Sequence, residues 1–214
     1  MKINFLKKLL NVKTLTLAAL ITGTAWETSP LWREPLPADL SESPFQLTQT
    51  LVKEWQDGDL IVFIRHLERC SRVDAACLAE PSGITQRSVA TGLEMGRYLS
   101  NLGLANGDIY TSPLTRTKQT SQAIFAQEIA SKDFLFKCQP DFFKQALNIK
   151  QEGRNLFLVT HSSCLDELTE HFAHAEVDFE YGAAVFVNVE NLKEQQVLGF
   201  VDAEDWARTL SPRT

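Results

Sequence analysis

Strand and helix signals alternate over about 140 residues, which predicts an α/β protein: a three-layer α/β/α sandwich around a mostly parallel sheet with an antiparallel edge. Three observations carry that reading. Leu60–Ile64 and Asn155–Thr160 are apolar runs of strand length, and a histidine follows each closely, His66 and His161. Helical stripes lie between them. The C-terminal segments Ala183–Val189 and Gln196–Val201 alternate as a final antiparallel hairpin.

The chain has 214 residues, 44% hydrophobic and 22% charged, which fits one globular domain with a leading appendage. Residues 1–25 read as a signal peptide or an uncleaved anchor. Lys2, Lys7, Lys8 and Lys13 precede the apolar run Thr14–Ala25, which ends in the small residues Gly23-Thr-Ala25. That run falls short of the about 20 apolar residues of a spanning helix. The four lysines come with no acid, so the net charge of −6 leaves −10 on the remainder. Nothing in that balance favours nucleic acid as a partner. Pro30, Pro35, Pro37 and Pro44 mark an extended arm, and residues 26–58 are read as that arm plus a short helix carrying Phe45, Leu47, Leu51, Val52 and Trp55. The main domain is expected over 59–214.

Within it, Cys70–Gly83 is read as a polar loop and Ile84–Leu102 as a helix carrying Val89, Leu93, Met95 and Leu99. Asp108–Thr111 is a short second strand. Ser112 suits a helix cap and Pro113 a first helical residue, for a helix reaching about Ala130. Phe134–Lys137 is expected as a third strand, Asp141–Glu152 as a helix, Asn155–Thr160 as a fourth strand, and 163–174 as a helix.

The chemistry concentrates at strand ends. A buried strand cannot continue into Arg65-His66-Leu67-Glu68-Arg69, so the strand stops there and opens onto the crevice where α/β sheets hold ligands. Arginine forks suit phosphate oxygens, and a neutral imidazole is a nucleophile near pH 7. Arg116 lies just beyond the second strand and His161 after the fourth, on the same sheet edge. Taken alone, Arg116 reads as a solvated helix residue and His161 as a satisfied buried histidine. Their joint placement favours a phosphoryl site.

Arg65-His66-xx-Arg69, Ser112-Pro113-Leu-Thr-Arg116-Thr-Lys-Gln-Thr120 and Val159-Thr160-His161 resemble the histidine phosphatase superfamily, with its phosphoglycerate-mutase-like fold. The resemblance spans about Asp59 to Val201. Phe63–Cys70, Cys77, Gly83-Ile-Thr85, Cys138 and Thr160–Cys164 are similar, more narrowly, to exported lipopolysaccharide core heptose phosphate phosphatases. The resemblance implies an exported phosphomonoesterase in which His66 forms a phosphohistidine, while Arg65, Arg69, Arg116 and His161 bind the phosphoryl oxygens. It implies Asp141 as general acid, at a position where relatives carry the longer Glu, with Glu68 as the rival. As a bland alternative, Asp141 caps the helix it begins. No metal and no cofactor is expected, and the expected substrate is a phosphorylated small molecule or glycan. The membrane enters only through a retained N-terminal segment.

Four cysteines in an exported chain allow three disulfide connectivities. Cys70–Cys77 with Cys138–Cys164 is the preferred set, the second tying the Asp141 segment to that of His161. A periplasmic location follows from the same reading. The alternatives are a phosphate-binding or scaffolding protein of this fold without turnover and, more distantly, a mutase.

Overall fold

The computed structural model describes residues 37–43, 45–173, 177–190 and 195–210. The segment read as a signal lies outside them, as does His174. The described residues all belong to one compact unit.

Five strands make the sheet: β1 (Leu60–Arg65), β2 (Gly107–Thr111), β3 (Asn155–Thr160), β4 (Ala184–Asn188) and β5 (Gln196–Val201), in the order β2-β3-β1-β4-β5. β1 and β2 each pair parallel with β3, in a register that sets Arg65 beside Thr160 and Thr111 beside Val159. β4 pairs antiparallel with both β1 and β5. The single reversed strand lies one in from the edge, so the expected antiparallel hairpin closes that side of an otherwise parallel sheet.

The alternating pleat of β1 feeds two cores. Leu60, Val62 and Ile64 face a cluster with Trp55, Met95, Leu99, Ile124 and Trp206. These residues come from α1 (Phe45–Asp57), α2 (Ser88–Leu102), α3 (Thr115–Phe125) and a C-terminal helix (Trp206–Leu210). Ile61 and Phe63 face Leu135, Phe142, Phe143, Leu165 and Leu168 on the opposite side. Those belong to α4 (Phe134–Lys137), α5 (Phe142–Ile149) and α6 (Ser162–Ala173). The C-terminal helix is α7. Full burial of both faces explains why β1 and β3 read as unbroken apolar runs.

α1, expected with the arm, is part of this body. Trp55 is buried and its Nε1 donates to Gly103 O at 2.9 Å. The end of the arm also pairs with β5, through Leu40 N to Phe200 O and Phe200 N to Ala38 O, both 2.9 Å. Close helix packing fixes Gly96, where a Cβ would stand 2.1 Å from Ile124 O.

Three sequence expectations fail locally. The strand expected over 134–137 is a single helical turn, α4. On the edge of β2 away from β3, pairing among the described residues is one bridge between Thr111 and Ser131, after which Lys137 N bonds Asp133 O and Cys138 N bonds Phe134 O, both at 3.2 Å. The short run Phe-Leu-Phe-Lys buries Phe134 and Leu135 equally well as a turn of helix, and periodicity cannot separate the two forms at that length. The helix expected from Ile84 starts at Ser88, because Ile84 and Thr85 bridge to Arg69 and Cys77. The helix expected from Ser112–Pro113 starts at Thr115 after Leu114, and turns off at Phe125 with Ala126 left-handed.

Candidate active site

The sheet register delivers the two histidines side by side. His66 N donates to Thr160 O at 3.0 Å and Ser112 N to Val159 O at 2.9 Å. Leu67 N donates to Thr120 Oγ1 at 3.0 Å, so α3 holds the chain leaving β1. The His66 and His161 rings stand 5.4 Å apart, edge to face. Around them Arg65, Arg69, Arg72 and Arg116 line a cavity of about 380 Å³. Phe136, Tyr181, Ser162 and Ser163 complete its wall.

The geometry fixes the tautomer of His66. His66 Nδ1 lies 2.7 Å from Leu67 O, and a carbonyl oxygen only accepts, so Nδ1 carries the proton. In the neutral ring the lone pair is then on Nε2. Burial holds the His66 pKa down at about 3, with further lowering from His161, Arg116 and Arg65, outweighing the Leu67 bond. The ring is therefore neutral and nucleophilic at physiological pH. Burial, then Arg116 and Arg69, lowers His161 to about 4.

Arg65 is fixed by donation from Nη1 to Phe179 O and by stacking 4.3 Å from the Tyr181 ring centroid. Arg116 has its pKa lowered by burial and by neighbouring Arg69. Arg65 Nε, Arg69 Nε, Arg116 Nε and His161 Nδ1 are buried and bond to no other described residue. Buried polar groups are rarely left so, and three arginine donors at one cavity, joined by His161 Nδ1 in the tautomer whose Nε2 accepts from Ser112 Oγ, fit an oxyanion with several acceptor oxygens.

Of the residues read from the sequence, Arg65, His66, Arg69, Arg116 and His161 are brought together. Asp141 is not. It is exposed, caps nothing with its side chain and does not line this cavity, standing three residues past Cys138. Glu68 lies on an adjoining cavity, paired with Arg87 at 2.5 Å and accepting from Thr85 Oγ1 at 2.8 Å. Arg87, foremost, holds its pKa below the usual range.

Ser112 was missed in this role: read as a helix cap, it is fully buried with Oγ 2.9 Å from His161 Nε2. The Ser-Pro pair disguised it, since the same dipeptide opens helices. Tyr181, in the turn before β4, carries no sequence signal beyond being aromatic. Both disulfides of the preferred set are formed, Cys70–Cys77 and Cys138–Cys164. The first closes the loop after Arg69; the second joins the end of α4 to α6 just past His161.

This architecture, with paired histidines at the carboxyl ends of β1 and β3, is similar in fold to solved histidine phosphatases. Its relatives by sequence are narrower. Lipopolysaccharide core heptose(II)-phosphate phosphatase of Escherichia fergusonii is 25% identical over 185 residues, covering 85% of this chain and 89% of that protein. The protein of the same name from Escherichia coli O9:H4 is 28% identical over 148 residues, covering 68% and 74%. Among solved structures, the protein histidine phosphatase SixA complexed with tungstate is similar at a TM-score of 0.55 and 16% identity, over 68% of this chain and 98% of that one. A phosphoserine phosphatase variant from Entamoeba histolytica with bound phosphoserine gives 0.53 and 12%, over 68% and 98%. These two likenesses are of fold. No family model matches the chain.

Proposed function

We propose that this chain is an exported phosphomonoesterase acting through a phosphohistidine on His66. Nε2 attacks phosphorus, the N–P bond forms and the ester P–O bond breaks. The leaving oxygen takes a proton from a carboxylic acid; water, giving a proton back to that carboxylate, then attacks phosphorus, the N–P bond breaks, and inorganic phosphate leaves with His66 neutral. Arg65, Arg69, Arg116 and His161 hold the equatorial oxygens, on which charge is spread in the transition state. The carrying observation is the set of four buried, unbonded polar groups, three of them arginine donors, around a histidine whose Nδ1 is committed to Leu67 O, leaving the lone pair on Nε2.

Asp141 carries the proton donor's role in this proposal; it stands outside the phosphoryl cavity, so the leaving-group test decides that role. Glu68 is the weaker candidate, because its carboxylate is committed to Arg87 and Thr85. The names of the sequence relatives point to a sugar phosphate of the lipopolysaccharide core as substrate. Two disulfides suit an oxidising compartment, here the periplasm.

The test is phosphate release across sugar phosphates, core oligosaccharide fragments, phosphoproteins and nucleotides, with acid-quenched trapping of an acid-labile phosphoenzyme. Turnover with a phosphoenzyme at His66 is expected. Binding of phosphate without turnover of any ester would instead favour a silent scaffold.

A further inference from the structure

A second cavity, of about 700 Å³, opens on the other side of Tyr181 and is lined by Leu67 and Glu68, the residues between His66 and Arg69. Its charge is opposite to that of the first. Glu180, Asp202 and Glu204 line it together with the pairs Glu68–Arg87 and Asp205–Arg208. Five acids against two arginines face one space, whereas four arginines and no acid line the phosphoryl cavity. The segments come from five places in the chain: the loop after β1, the start of α2, the turn before β4, the loop after β5, and α7.

We propose that this cavity binds the alcohol part of the phosphate ester, that this alcohol is an uncharged polyhydroxylated group of the sugar class, and that the cavity rejects leaving groups bearing a second anion. This rests on the phosphomonoesterase reading above. Tyr181 belongs to both walls, so an ester with its phosphoryl on His66 extends its alcohol past Tyr181 into this space. Asp202 supplies the independent mark of a ligand. Its carboxylate accepts from the Glu180 backbone, yet Oδ1 is buried with no partner among the described residues. Burial, above all, raises its pKa to about 6, so near pH 7 it remains mainly an acceptor. A hydroxyl donating to Oδ1 satisfies it.

The arginines decide between a polyol and a cation. A hydroxyl both donates and accepts, so it bonds to the carboxylates and to the outer N–H groups of Arg87 and Arg208 alike. An ammonium group would leave those arginines unused and face them as like charges. A carboxylate or second phosphate would meet Glu180, Asp202 and Glu204 at close range, and such like-charge contacts discriminate strongly.

The experiment compares kcat/KM for glucose 6-phosphate, 3-phosphoglycerate and p-nitrophenyl phosphate in the wild-type protein, Asp202→Asn and Glu204→Lys. Glu204 is exposed, so its reversal does not threaten the fold. Wild type is expected to favour glucose 6-phosphate over 3-phosphoglycerate by about tenfold or more, and Glu204→Lys to shift that ratio toward 3-phosphoglycerate by roughly tenfold. Asp202→Asn is expected to raise KM for glucose 6-phosphate several-fold more than for p-nitrophenyl phosphate. Equal use of the two natural esters, or variants that change all three esters alike, overturns the subsite while the phosphatase reading stands. No turnover of any ester by wild type overturns that reading and the subsite with it.

Discussion

The two cavities flanking Tyr181 differ in charge and also in how they are built. The basic one is hung on strand ends: Arg65 and His66 on β1, His161 on β3, with Arg116 on the first turn of α3. Main-chain bonds of the sheet set its spacing, and it would be difficult to alter without breaking β1. The acidic one is assembled from loops and helix surfaces, with Glu180 and Glu204 exposed. On the two proposals above, chemistry sits on the rigid part of the fold and selectivity on the part that tolerates change.

The sharpest way to break this contrast is at the nucleophile. His66→Ala is expected to lower kcat by at least about 10⁴-fold with every ester, since groups acting as one unit lose most of their effect together. Far-UV circular dichroism should be unchanged, and a folded variant with substantial turnover removes His66 from the mechanism.

Next in size is the proton donor. Asp141→Asn is expected to slow an alkyl phosphate by about 10²–10⁴-fold, the usual worth of general-acid help, and p-nitrophenyl phosphate far less. Nitrophenolate leaves without a proton; an alkoxide does not. Equal slowing of both would strip Asp141 of the role, which its exposed position makes a severe test. Glu68→Gln should show no leaving-group dependence, because that carboxylate is committed to Arg87 and Thr85.

The disulfides brace the basic side. Cys138–Cys164 spans 26 residues and Cys70–Cys77 spans 7, so removing them should cost about 3.5 and about 2.4 kcal/mol respectively on the loop-entropy account. Denaturant titration of the double Ser variants measures both. A larger loss from the shorter loop would assign the stabilisation to contacts in the Cys70–Gly83 loop instead.

The smallest effect is in pH. With His66 near 3 and His161 near 4, the acid limb of kcat/KM, after allowance for substrate ionisation, should fall below about pH 4 rather than at the ordinary 6.5. The stability sign follows from the same shift. Both pKa values are depressed on folding, so the unfolded chain binds more protons below 6.5. Their contribution to stability is complete above pH 6.5 and lost as pH falls toward 3–4. An acid limb centred at 6.5 would mean that these rings are not shielded as the structure has them.

Much of the basic cavity was legible in the sequence and almost none of the acidic one. Arg65, His66 and His161 stand out because charged or titratable groups interrupt apolar runs, and Arg116 because it follows a strand at short range. Ser112 was visible but misassigned, its hydroxyl going to His161 rather than to a helix end. Glu180, Asp202 and Asp205 look like any solvated acids. Local sequence carries no mark for residues whose meaning lies in distant neighbours.

By itself, then, the sequence determined the α/β class, the limits of β1, β3 and β5, and the convergence of two histidines on one sheet edge. Those depend on burial pattern and chain direction, which are local properties. Tertiary structure alone decided the rest. It folded 134–137 into a helical turn against Thr160 and Phe142, and set the reversed strand β4 between β1 and β5. It also put Tyr181 between two cavities of opposite charge. Each outcome is a choice among packings that the local chain allows equally, and only contacts between residues far apart in sequence separate them.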